Sequence, residues 1–134
     1  MRRTLLFLLL SLSLSGLCAQ EKGKCGPSPE AVVERQLEAY NARDIDAFIA
    51  TYSQDIEVYN SKGILTMQGH AGLRAGYEGF FKKTPNLHCL IENRIVINNK
   101  VIDKEKVTAG ERIIHAVAVY DVTGDKITRV RFID

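Results

Sequence analysis

The sequence lacks the motifs that identify several common classes of enzyme. It has no glycine-rich phosphate loop, because the glycines of GHAGLRAG (69–76) open a helical pattern without the strand that should precede them. It has no nucleophile elbow either. Its three histidines, His70, His88 and His115, have no spacing that would gather them around a metal ion. We therefore predict neither a metal site nor a cofactor, and no single motif names a reaction.

The sequence also has little net charge once its first residues are set aside. A short basic head, Met1 to Thr4, precedes an apolar stretch from Leu5 to Leu17. This pattern is typical of a secretory signal peptide, and the stretch is too short to span a bilayer, which needs roughly 20 apolar residues. Removal of residues 1–19 reduces eighteen basic residues to sixteen, which equals the number of acidic residues. We predict an exported protein, periplasmic or extracellular, with no nucleic-acid partner and no membrane association after cleavage.

Two other interpretations of the N-terminus stay open. Cys18 could carry the lipid of a lipoprotein, although the bulky Leu17 before it argues against this, and the apolar stretch could be retained as an anchor. If residues 1–19 are a cleaved signal, N-terminal sequencing of exported material should begin at Gln20 or Glu21. Residues 20–28 would then form a flexible leader.

Two cysteines remain after cleavage, Cys25 in the leader and Cys89 near the start of a strand pattern. An even pair in an exported protein favours a disulfide. The alternative is that Cys89 is a small buried apolar residue and Cys25 a free thiol. Sequence separation does not decide between the two, because the geometry of the folded chain does.

About 115 residues remain for the folded protein, enough for one domain with a single core. Helical patterns occupy its first half. Ser28-Pro29-Glu30 is a helix start with a capping serine and a proline in the first turn. Asp44 caps a second short helix whose apolar face runs to Tyr52, and Gly69 to Lys83 is a third helix, which Pro85 ends.

Strand patterns fill the rest of the chain. Ile56 to Tyr59 alternates as a strand and ends in a turn at 60–63. Four longer strands of one antiparallel sheet are predicted at Leu87–Asn98, Val101–Ala109, Arg112–Val122 and Lys126–Ile133. The third of these is apolar on both faces, which indicates a strand that is covered twice. We predict a homodimer that covers an outward row of Ile114, Ala116, Ala118 and Tyr120.

Several segments resemble one superfamily. EAYNARDIDAFIATYSQDIEVYN (38–60) and GHAGLRAGYEGFF (69–81) are similar to the helices and first strand of the nuclear transport factor 2 and ketosteroid isomerase superfamily. ENRIVINNKVIDKEKVTAG (92–110) and AVAVYDVTGDKITRVRFI (116–133) resemble the strands of its SnoaL-like domains, often described as steroid delta-isomerase-like. The resemblance covers residues 29–134 and implies an α+β, cone-shaped fold of three N-terminal helices packed on a curved antiparallel sheet. It implies little about function, because this superfamily hosts many activities on one frame.

The catalytic groups of two enzymes in this superfamily are absent from the matching positions. A ketosteroid isomerase needs a carboxylate base, a tyrosine and a protonated aspartic acid. These positions fall on Asn60, Gln36 and Val117. A limonene-epoxide-hydrolase-like site needs an Arg-x-Asp pair, which falls on Glu105-Lys106-Val107, and a further aspartate, which falls on Phe132. The resemblance therefore predicts neither reaction.

The prediction that remains is a pocket for a small, mostly apolar molecule. The predicted ligand-binding residues are Gln36, Tyr40, Tyr52, Asn60, Tyr77, Phe81, Val117 and Phe132. His115 shares a strand face with Val117, which the resemblance sends inward, so it is the candidate general acid or base; a plain core histidine is the alternative. Asp103, Glu105 and Arg94 are interpreted as a solvated or interfacial salt-bridge ladder.

Two alternatives to a binding protein stay open. One is a cofactor-free isomerase or dehydratase that uses His115 on a carbonyl substrate, with Asn60 or Gln36 stabilising developing charge. The other is a protein-interaction domain whose cone is filled by its own side chains. An open pocket would favour the ligand-binding interpretations, and a filled one the last.

Overall fold

A computed structural model describes residues 26–133, which form three helices and six strands. The helices are α1 (Pro29–Ala42), α2 (Ile45–Ala50) and α3 (Gly69–Lys83). The strands are β1 (Tyr52–Tyr59), β2 (Leu65–Gln68), β3 (His88–Ile97), β4 (Lys100–Ala109), β5 (Arg112–Thr123) and β6 (Lys126–Ile133). The predicted signal peptide, most of the predicted leader and Cys25 lie outside the described residues. Within them, no helix has the length and apolarity needed to cross a membrane.

Most of the helix ends lie where the sequence predicts. The Ser28 hydroxyl accepts a hydrogen bond from the amide of Ala31, and Pro29 occupies the first turn of α1. Arg43 ends α1 in the left-handed conformation with φ 55°. The Asp44 carboxylate then caps α2 by accepting from the amide of Ala47 at 3.0 Å. Caps of this kind satisfy the amides that a first turn leaves without partners.

One helix boundary differs from the prediction. The second helix ends at Ala50, and Tyr52 is the first residue of β1. Thr51 ends the helix, and its hydroxyl donates to the carbonyl of Phe48 at 2.7 Å. Tyr52 is buried, as it would be on the apolar face of a helix. Its apolar character therefore did not show whether it belongs to α2 or to β1.

The sheet is larger than predicted and mixed in direction. Its strand order is β2-β1-β6-β5-β4-β3. All neighbours are antiparallel except β1 and β6, which run parallel, so the expectation of a wholly antiparallel sheet is wrong at this pair. The sequence analysis also missed β2, a four-residue edge strand that is mostly exposed. Such a strand is too short to show a clear alternation.

Three hairpins with two-residue turns set the register of the last four strands. Their turns are Asn98-Asn99, Gly110-Glu111 and Gly124-Asp125, and the first residue of each has positive φ, at 52°, 66° and 62°. Positive φ at this position is what tight hairpin turns require. In β3 the register also shifts between Ile91 and Asn93, so that Glu92 forms a bulge.

The register defines two faces of the sheet. The inner face carries Val101, Asp103, Glu105 and Val107 of β4, with Tyr120, Ala118, Ala116 and Ile114 opposite them on β5. Helix α1 packs across β3 to β6, and α3 packs on β1 and β2, which buries a core that includes Phe48, Ile56, Leu73 and Ile127. The predicted outward row of β5 therefore faces inward. Its Ala118 and Tyr120 are core residues.

The outer face carries the other alternate residues of these strands. On β4 it includes Lys104 and Lys106, which are paired with Val117 and His115 of β5. Several large apolar side chains on this face are exposed, among them Ile95, Ile97, Ile113 and Ile133. β5 is apolar on both faces, and these faces are exchanged relative to the prediction. Its outer face is partly exposed, so the expectation that a second subunit covers it stays a prediction.

Candidate functional site

A cavity of about 340 Å³ lies between α1, α3 and the inner face of the sheet. Its wall combines aromatic and aliphatic side chains with a few polar groups. The lining residues are Gln36, Leu37, Tyr40, Tyr77, Phe80, Cys89, Glu105, Val107, Ile114, His115, Ala116 and Phe132. Four predicted ligand-binding residues, Gln36, Tyr40, Tyr77 and Phe132, are brought together here.

Helical and strand spacing explain why these side chains converge. Gln36 and Tyr40 are four residues apart on α1, and Tyr77 and Phe80 are three apart on α3, so each pair lies on one face of its helix. On the sheet, Glu105 and Val107 are two residues apart on β4 and share one face, as do Ile114 and Ala116 on β5. The small side chain of Ala116, directly opposite Glu105, leaves room above the sheet.

Two predicted ligand-binding aromatics belong to the core beneath the cavity instead. Phe81 is buried against the rings of Tyr40, Phe48 and Tyr77, with centroid distances of 5.4, 5.4 and 5.8 Å. Tyr52 is buried against Phe48 at 5.1 Å. Neither lines the cavity. These two rings therefore support the wall from behind, whereas Tyr40, Tyr77 and Phe80 form part of it.

Asn60 is also placed differently from the prediction. Its side-chain oxygen accepts hydrogen bonds from the amides of Lys62 and Ile64, both at 3.0 Å. It therefore closes the turn between β1 and β2, and it does not line the cavity. This is the ordinary use of asparagine in a turn.

His115 and Val117 point away from the interior, which corrects the prediction that both face inward. The imidazole of His115 is 59% exposed, and its Nδ1 lies 4.0 Å from Glu92 Oε2. On the neighbouring strand β4, Lys106 is paired with His115 and Lys104 is paired with Val117. Both lysines lie on the outer face. His115 is nevertheless among the residues that line the cavity, next to Ile114 and Ala116 on the same strand. The catalytic role proposed for an inward imidazole has no geometric basis.

Glu105 is the polar group that the sequence analysis missed. It is 7% exposed, and its Oε1 accepts a hydrogen bond from the Tyr120 hydroxyl at 2.8 Å. No other group among the described residues donates to its carboxyl. Ser53 Oγ is the one fully buried side-chain polar atom without a hydrogen-bond partner in this part of the chain. Glu105 Oε2 also has no partner, but it is not fully buried. We infer that it faces the cavity that Glu105 lines.

Burial raises the pKa of Glu105 to about 7. Loss of solvation is the largest cause, because it disfavours the charged form. The hydrogen bond from Tyr120 opposes the increase, the nearby Asp103 carboxylate adds to it, and the Arg94 guanidinium opposes it. The carboxyl therefore changes its charge near neutral pH, as groups in functional sites often do.

Asp103, two residues before Glu105, has a full set of partners. It is 1% exposed, and Arg94 donates to both its oxygens, from Nε at 2.7 Å and from Nη2 at 2.8 Å. Arg94 also donates from Nη1 to Glu34 Oε2 on α1 at 2.6 Å. The interpretation as a solvated ladder is wrong for Asp103 and Glu105, because both carboxyls are buried on the inner face.

The tyrosines and the cysteine of the wall stay neutral near pH 7. Burial raises the pKa of Tyr77 to about 12 and that of the Cys89 thiol to about 12, and it raises the pKa of Tyr40 further. The Tyr40 and Tyr77 hydroxyls have no hydrogen-bond partner among the described residues and are open to the cavity for the reason given for Glu105. Gln36 lies beside the Tyr52 hydroxyl, where it opposes part of the burial-driven increase in the pKa of Tyr52.

Cys89 is a buried residue whose main chain is held by α1. Its amide donates to Asn41 Oδ1 at 2.7 Å, and the Asn41 amide group donates back to its carbonyl at 3.0 Å. The predicted disulfide to Cys25 stays a prediction, because Cys25 lies outside the described residues.

The other cavities formed by the described residues do not combine a buried carboxyl with several aromatic side chains. One of about 580 Å³ is lined by turn residues and prolines, and Asp125 is the sole titratable residue among the described part of its lining. Across residues 26–133, no cluster of three or more histidine, cysteine, aspartate or glutamate side chains could hold a metal ion.

Fold and site together define a small α+β protein with a ligand-sized cavity between its helices and a curved, six-stranded sheet. The chain belongs to the SnoaL-like domain family, whose model matches residues 33–130. No curated protein matches the chain.

Solved structures agree with this assignment. A cystatin-fold protein of uncharacterised function from Novosphingobium aromaticivorans is 30% identical, with a TM-score of 0.76 over 81% of this chain and 100% of its own. A nuclear transport factor 2-like protein of unknown function from Cytophaga hutchinsonii is 14% identical, with a TM-score of 0.69 over 82% and 92%. A proposed polyketide cyclase from Sinorhizobium meliloti is 17% identical, with a TM-score of 0.65 over 75% and 92%. The last two likenesses concern the fold alone.

Proposed function

We propose that this protein binds a small, mostly apolar molecule in the cavity, with the helices and the curved sheet forming the two sides of a cone. The observation that carries the proposal is the unpartnered Glu105 Oε2 in a wall that is otherwise mainly aromatic and aliphatic. A carboxylate oxygen that faces a cavity without a protein partner is available to accept a hydrogen bond from a ligand.

The size and composition of the cavity support a small ligand. Its volume of about 340 Å³ falls within the range of small-molecule sites, which runs from roughly 300 to 1,000 Å³. The open cavity is the arrangement expected of a ligand-binding protein, and it speaks against a cone filled by its own side chains. A proposed polyketide cyclase of the same fold also points to small molecules.

Filling the cavity tests the proposal. Ala116→Trp should occupy the space opposite Glu105, so molecules that co-purify with the wild-type protein should be lost, as measured by native mass spectrometry. Ala75→Trp, on an exposed position of α3, is the matched control and should keep them. Circular dichroism should show that both variants fold, and the smaller Ala116→Leu replaces Ala116→Trp if that variant does not. Equal retention by the cavity-filling and control variants would sink the proposal.

A second candidate function is proton transfer on a carbonyl substrate, which the pKa of Glu105 near 7 favours. Glu105 Oε2 would take a proton from the carbon beside the carbonyl, the C–H electron pair would form an enolate, and a neutral Tyr40 or Tyr77 hydroxyl would donate to its oxygen. Glu105 takes the role that the sequence analysis gave to His115. NMR would detect deuterium exchange at that carbon in a bound ketone, and Glu105→Gln should abolish it. Exchange that survives this substitution would exclude Glu105 as the base.

A further inference from the structure

We propose that the cavity selects an apolar molecule whose polar end is a protonated amine, and that it rejects carboxylates and phosphates of similar shape. The inference rests on the proposed function, because it specifies the ligand of the same cavity. Three features of the wall carry it: the sign of its charge, the unfilled acceptor of Glu105 and the aromatic rings around it.

The wall offers a negative charge and no positive one. Among the described residues that line the cavity, Glu105 is the sole acid, and there is no lysine or arginine. His115 is among the lining residues, but its imidazole lies on the outer face beside Glu92. An anionic ligand would therefore lose its solvation without gaining a partner cation, and it would face the Glu105 carboxylate.

The hydrogen bonding of Glu105 calls for a donor. The Tyr120 hydroxyl is buried and donates to Oε1, which leaves Oε2 as an acceptor that faces the cavity. An ammonium group supplies both an N–H donor and the opposite charge. Charge-assisted hydrogen bonds of this kind are about twice as strong as neutral ones.

The rings around the cavity suit a cation as well. Tyr40, Tyr77, Phe80 and Phe132 contribute to the wall, and the Tyr40 and Tyr77 rings meet edge to face with centroids 6.4 Å apart. Aromatic faces attract cations that have been removed from water. The same rings provide apolar contact for the body of the ligand.

The remaining titratable groups around Glu105 do not neutralise it. Arg94 on β3 donates to Asp103 on β4 and to Glu34 on α1, so its charge is shared between two other carboxylates. The other groups that face Glu105 keep their protons throughout the neutral range, because burial raises the pKa of each. They are Tyr40 on α1, Tyr77 on α3, Tyr52 on β1, Cys89 on β3 and Tyr120 on β5.

Three probes that share one ring system and differ in the head group test the inference. Naphthylmethylamine, naphthylmethanol and naphthoic acid are titrated into the full chain by calorimetry at pH 8. We expect the amine to bind about tenfold or more tightly than the alcohol, and the acid not to bind. In Glu105→Gln the advantage of the amine should disappear while the alcohol still binds. A wild-type protein that prefers the alcohol or accepts the acid would overturn the inference, as would a Glu105→Gln protein that still prefers the amine.

The pH dependence of the wild-type protein gives a second test that needs no substitution. The amine stays protonated below pH 8, so its affinity should follow the ionised fraction of Glu105. We expect that affinity to fall on the order of 100-fold from pH 8 to pH 5. An affinity that is constant, or that rises on acidification, would contradict the ion pair. If the alcohol binds as tightly as the amine, this inference fails and the proposed function stands; if no probe binds, both fail.

Discussion

At the scale of single residues, the environment of Glu105 links stability to pH. The folded chain holds a proton on this carboxyl up to a pKa of about 7, whereas an unfolded chain releases it near the ordinary value of 4.5. Between these two values the folded state binds more protons than the unfolded state. The free energy of unfolding therefore falls as the pH rises through this window, and above it the loss is complete.

The substitution Glu105→Gln isolates this contribution. From pH 4.5 to pH 8, the unfolding free energy of the wild-type protein should fall by about 3 kcal/mol more than that of the variant, because each pKa unit corresponds to about 1.4 kcal/mol. Urea denaturation at a series of pH values measures both. Parallel pH profiles for the two proteins would show that Glu105 ionises normally in the folded state.

The position of Glu105 could have been predicted from residues that the sequence analysis passed over. Lys100, Lys104 and Lys106 share one face of β4, which should be the outer face because lysine is seldom fully buried. A two-residue turn at Gly110-Glu111 then places His115 and Val117 on that same face. The inward direction predicted for Val117 rested on the family resemblance alone. The apolar residues of β5 do not distinguish its two faces, because both faces are apolar.

At the scale of elements, Arg94 ties α1 to the sheet beside the cavity. Its side chain is 13% exposed and bridges the buried Asp103 and the half-exposed Glu34. The sequence predicted that Arg94 pairs with Asp103 or Glu105, but not that Asp103 is buried or that Glu34 joins the pair. The bulge at Glu92 brings Arg94 opposite Asp103. Caps and tight turns, by contrast, were predictable, since each depends on a few adjacent residues.

Removing the cation should cost more than removing the exposed acid. Arg94→Met leaves the Asp103 carboxylate buried without a partner, so we expect a loss of about 3–5 kcal/mol in unfolding free energy. Glu34→Ala removes the exposed partner of the same guanidinium and should cost less than about 1 kcal/mol. Chemical denaturation compares the two. Equal losses would mean that the pair with Asp103 contributes no more than a surface ion pair.

At the scale of the whole molecule, the outer face carries a contiguous apolar patch formed by Ile95, Ile97, Ile102, Val117, Val119 and Ile133. Its members are neighbours across β3, β4, β5 and β6. Val119 is buried although it is absent from the core cluster, because its neighbours on this face cover it. Exposed apolar patches often mark contact surfaces, so the proposed homodimer would use this patch and not the row first predicted.

A charge within the patch tests that dimer. Ile95→Asp should convert a dimer at micromolar concentration to a monomer, as measured by light scattering, because an unpaired carboxylate would be buried in the contact. Ile64→Asp is the matched control, since Ile64 is equally exposed but lies in the turn between β1 and β2. A wild-type protein that is already monomeric would rule the dimer out.

The bulge at Glu92 has a consequence for how this chain is compared with its relatives. Residues before it alternate in one phase, with Cys89 and Ile91 facing the helices, and residues after it alternate in the other, with Arg94 facing inward and Ile95 and Ile97 outward. The alternation of inward and outward side chains along β3 therefore changes phase at Glu92. A relative that lacks the extra residue keeps the same faces from Asn93 onwards, but its residues correspond to these only when a gap is placed opposite Glu92. Any alignment that omits a gap at this point would exchange the interior and the exterior of half a strand.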